Sequence, residues 1–160
     1  MEKIKVGVDR RTGIIYNTSM KRHQIVADTN VFVTALRSQF GASYKLLSLI
    51  DKDVYQLNLS VPLVLEYEEV AKRMIGEISL TEQEIDDILD FVIKHSNHWH
   101  IFYLWRPQLK DPSDDMVLEL AVTASCKYII TYNIKDFKGI EKFGIQAITP
   151  KAFLEMVGEL

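Results

Sequence analysis

From about residue 24 onward, short apolar runs alternate with longer stretches whose apolar positions recur at helical spacing. Gln24–Ala27, Gln56–Ser60, Ile101–Trp105, Tyr128–Tyr132 and Ile145–Ile148 read as five strands. Helical spacing covers Val31–Leu36, then Tyr44–Ile50 after Gly41, then Pro62–Met74, with the proline where a first helical turn tolerates it. Thr81 and Glu84 form a capping-box signature for a helix to about Lys94. Pro107 and Asp111-Pro112 mark a loop, Ser113–Ser125 is a further helix, and Pro150 starts the last one. Strand-then-helix order of this kind predicts a parallel α/β sheet covered on both faces, because parallel strands need crossover connections. Nothing divides residues 24–160, so they are expected to form one domain.

Residues 1–23 stand outside that rhythm. Lys3–Val8 and Gly13–Tyr16 alternate weakly around Asp9-Arg10-Arg11-Thr12-Gly13, which predicts a β-hairpin extension. It could extend the sheet edge, dock a neighbouring subunit or be a disordered arm, and the pattern leaves all three open.

At 160 residues the chain is long enough to bury a core without disulfides or a structural metal. The single Cys126, with no leader-like or membrane-spanning run, gives a cytoplasmic expectation without membrane association. A net charge of −3 argues against a strong sequence-independent nucleic-acid binder, but leaves room for a site whose own carboxylates are offset by a metal. Lys21, Arg22, Arg37, Lys72, Arg73, Arg106, Lys110, Lys135 and Lys138 are candidate phosphate guides, or solvated surface.

Acidic residues change this picture most. Asp28 follows the first strand, Glu66 lies on the Pro62 helix, Asp111, Asp114 and Asp115 cluster at the start of a later helix, and Asp136 follows the fourth strand with Asn133 beside it. In an open parallel sheet, groups just past the carboxyl ends of strands converge in the ligand crevice. Clustered carboxylates suit Mg²⁺ or Mn²⁺, and such metals assist phosphodiester hydrolysis.

Each acid also has an ordinary explanation. Asp28 suits an N-cap, although Asn30 could share that task and leave Asp28 free for metal. Glu66 falls at the margin of the apolar face made by Leu63, Tyr67, Val70, Ala71 and Met74, either facing a cleft or pairing with a surface cation such as Arg73. Asp111 and Ser113 suit capping. Capping does not readily explain Asp114 beside Asp115, since two carboxylates close to a buried face repel each other unless a cation or proton separates them. Asn133 and Asp136 are turn residues or ligands.

Val26-Ala27-Asp28-Thr29-Asn30-Val31, the helix from Pro62 through Glu66 to Val70, Asp111-Pro112-Ser113-Asp114-Asp115, and Ile130-Thr131-Tyr132-Asn133-Ile134-Lys135-Asp136-Phe137 together resemble PIN domains. The chain is similar, more narrowly, to the toxin components of type II toxin-antitoxin systems related to VapC-type ribonucleases, a group that Ile148-Thr149-Pro150-Lys151-Ala152-Phe153-Leu154 also fits. The resemblance spans about residues 24 to 156.

It implies a three-layer α/β/α fold around a central parallel sheet of about five strands, with an acidic pocket for Mg²⁺ or Mn²⁺. It implies Asp28, Glu66, Asp115 and Asp136 as metal ligands and catalytic acids, with Asn30 as a further catalytic group. Asp114, Asn133 and Thr131 would support them. Many relatives carry an aspartate where this chain has Asn133, so Asp136 is taken as the fourth ligand. The implied activity is metal-dependent endoribonuclease action on RNA, by a toxin restrained by an antitoxin protein and forming a homodimer.

The alternative from another class is a PIN-like scaffold that binds RNA or protein without cutting. A phosphatase has similar carboxylate needs. His95, His98 and His100 around Trp99 offer a weaker zinc candidate, lacking an evident fourth ligand. No glycine-rich phosphate loop or nucleophile motif is present.

Overall fold

The computed structural model describes residues 5–8, 15–18, 22–101 and 108–160. Strand β1 (Lys5–Val8) pairs antiparallel with β2 (Ile15–Thr18), Lys5 opposite Thr18 and Val8 opposite Ile15, so the expected hairpin strands form. The chain continues as β3 (His23–Ala27), α1 (Thr29–Arg37), α2 (Ala42–Ser48), β4 (Tyr55–Leu59), α3 (Val61–Arg73) and α4 (Glu82–Lys94). Then come β5 (Asn97–His98), α5 (Pro112–Thr123), β6 (Tyr128–Ile130), 3-10 turns at Ile134–Phe137 and Ile140–Phe143, β7 (Gln146–Ile148) and α6 (Pro150–Met156).

Five strands form one parallel sheet in the order β5-β4-β3-β6-β7. The helices cover it in the three-layer α/β/α arrangement. Coverage on both faces explains why the inner strands read as unbroken apolar runs: Ile25, Val26, Leu57, Leu59, Ile129 and Ile130 are all buried. Among the described residues, no helix is long and apolar enough to cross a membrane.

The edge strand beside β4 is formed by residues that the apolar pattern did not mark. It is the two-residue β5, upstream of the expected Ile101–Trp105 run, of which residues 102–105 lie outside the described residues. Its placement is fixed by polar rather than apolar groups. Asn58 on β4 is fully buried; its Oδ1 accepts from Trp99 Nε1 at 2.7 Å and from Asn97 Nδ2 at 3.3 Å, while its Nδ2 donates to the Ile25 carbonyl at 3.2 Å. Cys126 packs against the same amide, 3.5 Å from Nδ2, and burial pushes its thiol up to about 12, so it is inert at neutral pH.

The expected capping box forms, and Pro62 lies in a first helical turn as expected. Thr81 and Glu84 make the reciprocal capping box of α4, and Ser60 caps α3 with Pro62 in the first turn. The buried face of α3 is Leu63, Tyr67 and Ala71, and the Tyr67 ring stacks on Phe32 of α1 with centroids 4.6 Å apart. The Tyr67 hydroxyl donates to the carbonyl of Ala27, the last residue of β3. This bond fastens α3 to the strand end from which Asp28 emerges.

Candidate active site

Chain order reverses direction across the sheet between β3 and β6, since β4 and β5 follow β3 on one side while β6 and β7 lie on the other. Such switch points open a crevice beyond the strand ends. Asp28 and Thr131 occupy the two lips. The Asp28 amide donates to the Ile130 carbonyl at 2.9 Å, and the Thr131 amide to the Ile148 carbonyl at 2.9 Å.

Asp28 is itself the N-cap of α1, with Oδ1 accepting from the Thr29 amide at 2.8 Å. Its Oδ2 accepts from Thr131 Oγ1 at 2.8 Å and from Asn30 Nδ2 at 3.0 Å. The expectation that Asn30 could share the capping and leave Asp28 free is therefore corrected. Asn30 braces the site instead, its Oδ1 accepting from the Tyr132 amide at 3.3 Å, while Thr131 Oγ1 accepts from the Asn133 amide at 3.0 Å. These bonds tie α1 to the segment after β6, and they set the direction in which the Asp28 carboxylate points.

Glu66 does not pair with a cation among the described ion pairs. Arg73 bonds Glu69 at 2.5 Å and Lys72 bonds Glu68 at 2.7 Å, while Glu66 Oε2 accepts from Thr29 Oγ1 at 2.6 Å. Half-buried at the margin of α3, Glu66 is thereby turned toward Asp28 across the α1–α3 contact. Thr29 is a residue that sequence reasoning missed. Its role depends on which helix packs beside α1, and no local spacing carries that information.

The two adjacent aspartates part company. Asp115, taken from the sequence as the third ligand, is 8% exposed, and its Oδ1 accepts from the backbone amides of Gln108 at 3.1 Å and Leu109 at 2.9 Å. It fastens the loop before α5 to the helix. Asp114, only part-buried, lies in the field of Asp28, Asp136 and Glu66. Asp111 caps α5 through the Ser113 amide at 2.8 Å. Asp136 is exposed on the first 3-10 turn; Asn133 precedes that turn and makes no side-chain cap bond. Of the expected set, Asp28, Glu66, Asp114 and Asp136 lie within one another's field, Asn30 and Thr131 brace Asp28, and Asp115 holds the loop amides.

Burial holds the Asp28 carboxyl above the ordinary aspartate range against the opposing pull of its Thr131 and Thr29 bonds, with the charges of Glu66 and Asp136 adding to the rise. Asp114 is raised to about 6, first by burial and then by the charges of Asp28, Asp111, Asp136 and Glu66.

A sign follows for stability. Both carboxyls bind protons more tightly folded than unfolded, so their contribution is complete below about pH 4, the unfolded value, and for Asp114 is lost as pH rises through about 6. In metal-free buffer, the melting temperature of Asp114→Asn should therefore fall less between pH 5 and pH 7 than that of the native chain. Parallel curves would show that Asp114 does not carry this strain.

Four oxygen donors without sulfur or imidazole suit a hard divalent cation, and the burial and repulsion that raise Asp28 and Asp114 are what such a cation relieves. Among the described residues, no group of three Asp, Glu, His or Cys side chains is placed to hold an ion. The histidine candidate for zinc gains nothing: His98 Nε2 contacts the Ile93 carbonyl at 2.7 Å and the His95 ring lies against Phe91. Of the candidate phosphate guides, Arg22, Lys72 and Arg73 are engaged in ion pairs, and Lys21 and Arg106 lie outside the described residues.

A comparison with solved structures finds VapBC2 from Rickettsia felis, crystallised bound to a DNA fragment from the promoter, with a TM-score of 0.53 and 16% identity. The match covers 79% of this chain and 98% of that one, and at this identity it speaks for the fold. No curated protein sequence matches the chain. A family model described as PIN domain matches residues 24–135, a span that runs from within β3 through β6 and holds Asp28, Glu66, Asp111, Asp114 and Asp115 but not Asp136. With that match over more than half of its length, the chain belongs to the PIN domain family.

Proposed function

We propose that the chain is a Mg²⁺- or Mn²⁺-dependent endoribonuclease acting through Asp28, Glu66, Asp114 and Asp136. The observation that carries this reading is the convergence of acids from four separate segments at the switch point of a PIN fold, where two of them are held above their ordinary range. The expected ligand Asp115 is reassigned here to fastening the loop, with Asp114 taking its place. When bound, a divalent ion supplies a Lewis acid and a water of lowered pKa.

The chain's own groups do the positioning. Thr131 and Asn30 fix the Asp28 carboxylate; Thr29 fixes one oxygen of Glu66 and leaves the other to accept a proton from the attacking water. The water oxygen bonds to phosphorus as the bond to the leaving ribose oxygen breaks, and that oxygen takes up a proton from solvent. Lys135 and Lys138, exposed next to Asp136, suit phosphate contacts along the strand.

Likeness to a VapBC pair supports a toxin role with an antitoxin partner. An apolar groove of about 580 Å³ between α1, α2 and α4, with Phe40 almost wholly exposed at its rim, offers surface for a partner protein or a second copy in a homodimer. The scaffold reading draws on the lack, among the described residues, of three such side chains placed to hold an ion, and on Asn133 standing where the resemblance gives many relatives an aspartate.

Cleavage of mixed single-stranded and structured RNAs in Mg²⁺, Mn²⁺ or EDTA decides between the two. Cutting that needs metal and disappears in Asp28→Asn is expected. A folded chain that binds metal and leaves every RNA whole would establish the scaffold. Growth arrest on expression, relieved by a neighbouring small reading frame, is expected of a toxin; a cutting chain that leaves growth unchanged would remove the toxin role alone.

A further inference from the structure

Tyr132 is built the opposite way round from an ordinary surface tyrosine. Such residues usually lay the ring on the protein and keep the hydroxyl in water. Here the hydroxyl is bonded at 2.7 Å to Oγ of Ser43, a fully buried residue in the first turn of α2, while the residue as a whole remains 43% exposed. The group it offers to solvent is therefore aromatic ring. Its backbone is held as well, through the amide bond to Asn30 Oδ1.

The segment that carries this fixed ring also carries groups of the site. Tyr132 directly follows Thr131, whose hydroxyl donates to Asp28, and precedes Asp136 by four residues. Lys135 and Lys138 on the same segment are exposed and in no ion pair among the described residues. An anchored aromatic face with nearby cations is the arrangement by which proteins hold a single strand: bases stack on the ring and the backbone tracks the positive charge. A ring already fixed at both ends loses little freedom on stacking.

We propose that Tyr132 is the stacking platform for one unpaired nucleobase next to the phosphate bound at the acidic site. This deepens the nuclease reading and rests on it for the position of the phosphate. Stacking accepts any base, so the platform sets register, not base identity.

The test is binding of fluorescently labelled oligoribonucleotides by anisotropy, with every chain carrying Asp28→Asn so that nothing is cut. Tyr132→Ala should weaken single-strand binding by about five- to a hundredfold, the range lost with one base–aromatic stack. Tyr132→Leu, which keeps apolar bulk without a ring, should lose as much, and Tyr132→Phe should stay within about threefold of the native residue. In a scan of single abasic positions, one position should weaken binding to the Tyr132 chain and have no further effect in Tyr132→Ala. Unchanged affinity in Tyr132→Ala or Tyr132→Leu, or the same abasic profile in both chains, overturns the platform. The nuclease reading fails separately, by absence of metal-dependent cutting in the native chain, and ring-dependent binding of single strands would survive that failure.

Discussion

Asn in place of Asp114 is expected to lower the cleavage rate by on the order of a hundredfold or more, because losses in groups that merely support a metal ligand already cost ten- to a hundredfold. The fold should not suffer. In the metal-free chain Asp114 is strained by burial and by the charges of Asp28, Asp111, Asp136 and Glu66, so a neutral side chain of the same shape relieves repulsion. Thermal unfolding at pH 7 without metal should show Asp114→Asn at least as stable as the native chain. Added Mg²⁺ should raise the melting temperature of the native chain more than that of the variant, since a ligand stabilises only as far as it binds. Full activity in Asp114→Asn would remove Asp114 from the site.

The neighbouring position should give the reverse outcome. Asp115→Ala is expected to cost about 3 kcal/mol, because it takes the acceptor from the amides of Gln108 and Leu109, the latter in a buried bond. For a domain of this size that is a fall in melting temperature of roughly 10 °C. Asp115→Asn keeps an oxygen in the same place and should recover most of the stability, with cleavage within about tenfold of native. A stable Asp115→Asn chain that does not cut would show that the charge itself is needed, and would return Asp115 to the set of ligands. Measuring both asparagine variants side by side separates a carboxylate that holds a loop from one that serves the chemistry.

That distinction was not legible in the sequence, and the reason is geometric. Neighbouring residues on a helix point about 100° apart, so the pair announces an acid facing a buried surface without saying which one. The answer depends on where the loop at 108–109 returns, and only tertiary structure fixes that. Asp28 was easier, since an aspartate closing a short apolar strand and opening a helix has few places to go. Glu66 was readable from its position at the edge of the α3 apolar face, although its partner Thr29 was not. The edge strand shows the limit of apolar patterning. The pairing observed at β5 is organised by Asn58, Asn97 and Trp99 through hydrogen bonds that leave no periodic trace, while residues 102–105 of the expected Ile101–Trp105 strand lie outside the described residues.

The bonds around Asp28 also bear on when activity can arise. Thr131 reaches Asp28 across 103 residues of sequence, and Asn30 reaches the amide of Tyr132 across 102. Closing so long a loop comes late in folding, after the local helices have formed. A nascent chain that has displayed its first acid to solvent thus holds only a fragment of the site until β6 has emerged and docked beside β3. Incomplete synthesis, clipping between α3 and β6, and loss of the β3–β6 contact all dismantle the same carboxylate group. On the nuclease reading proposed above, the chemistry would arise only once β6 has docked beside β3.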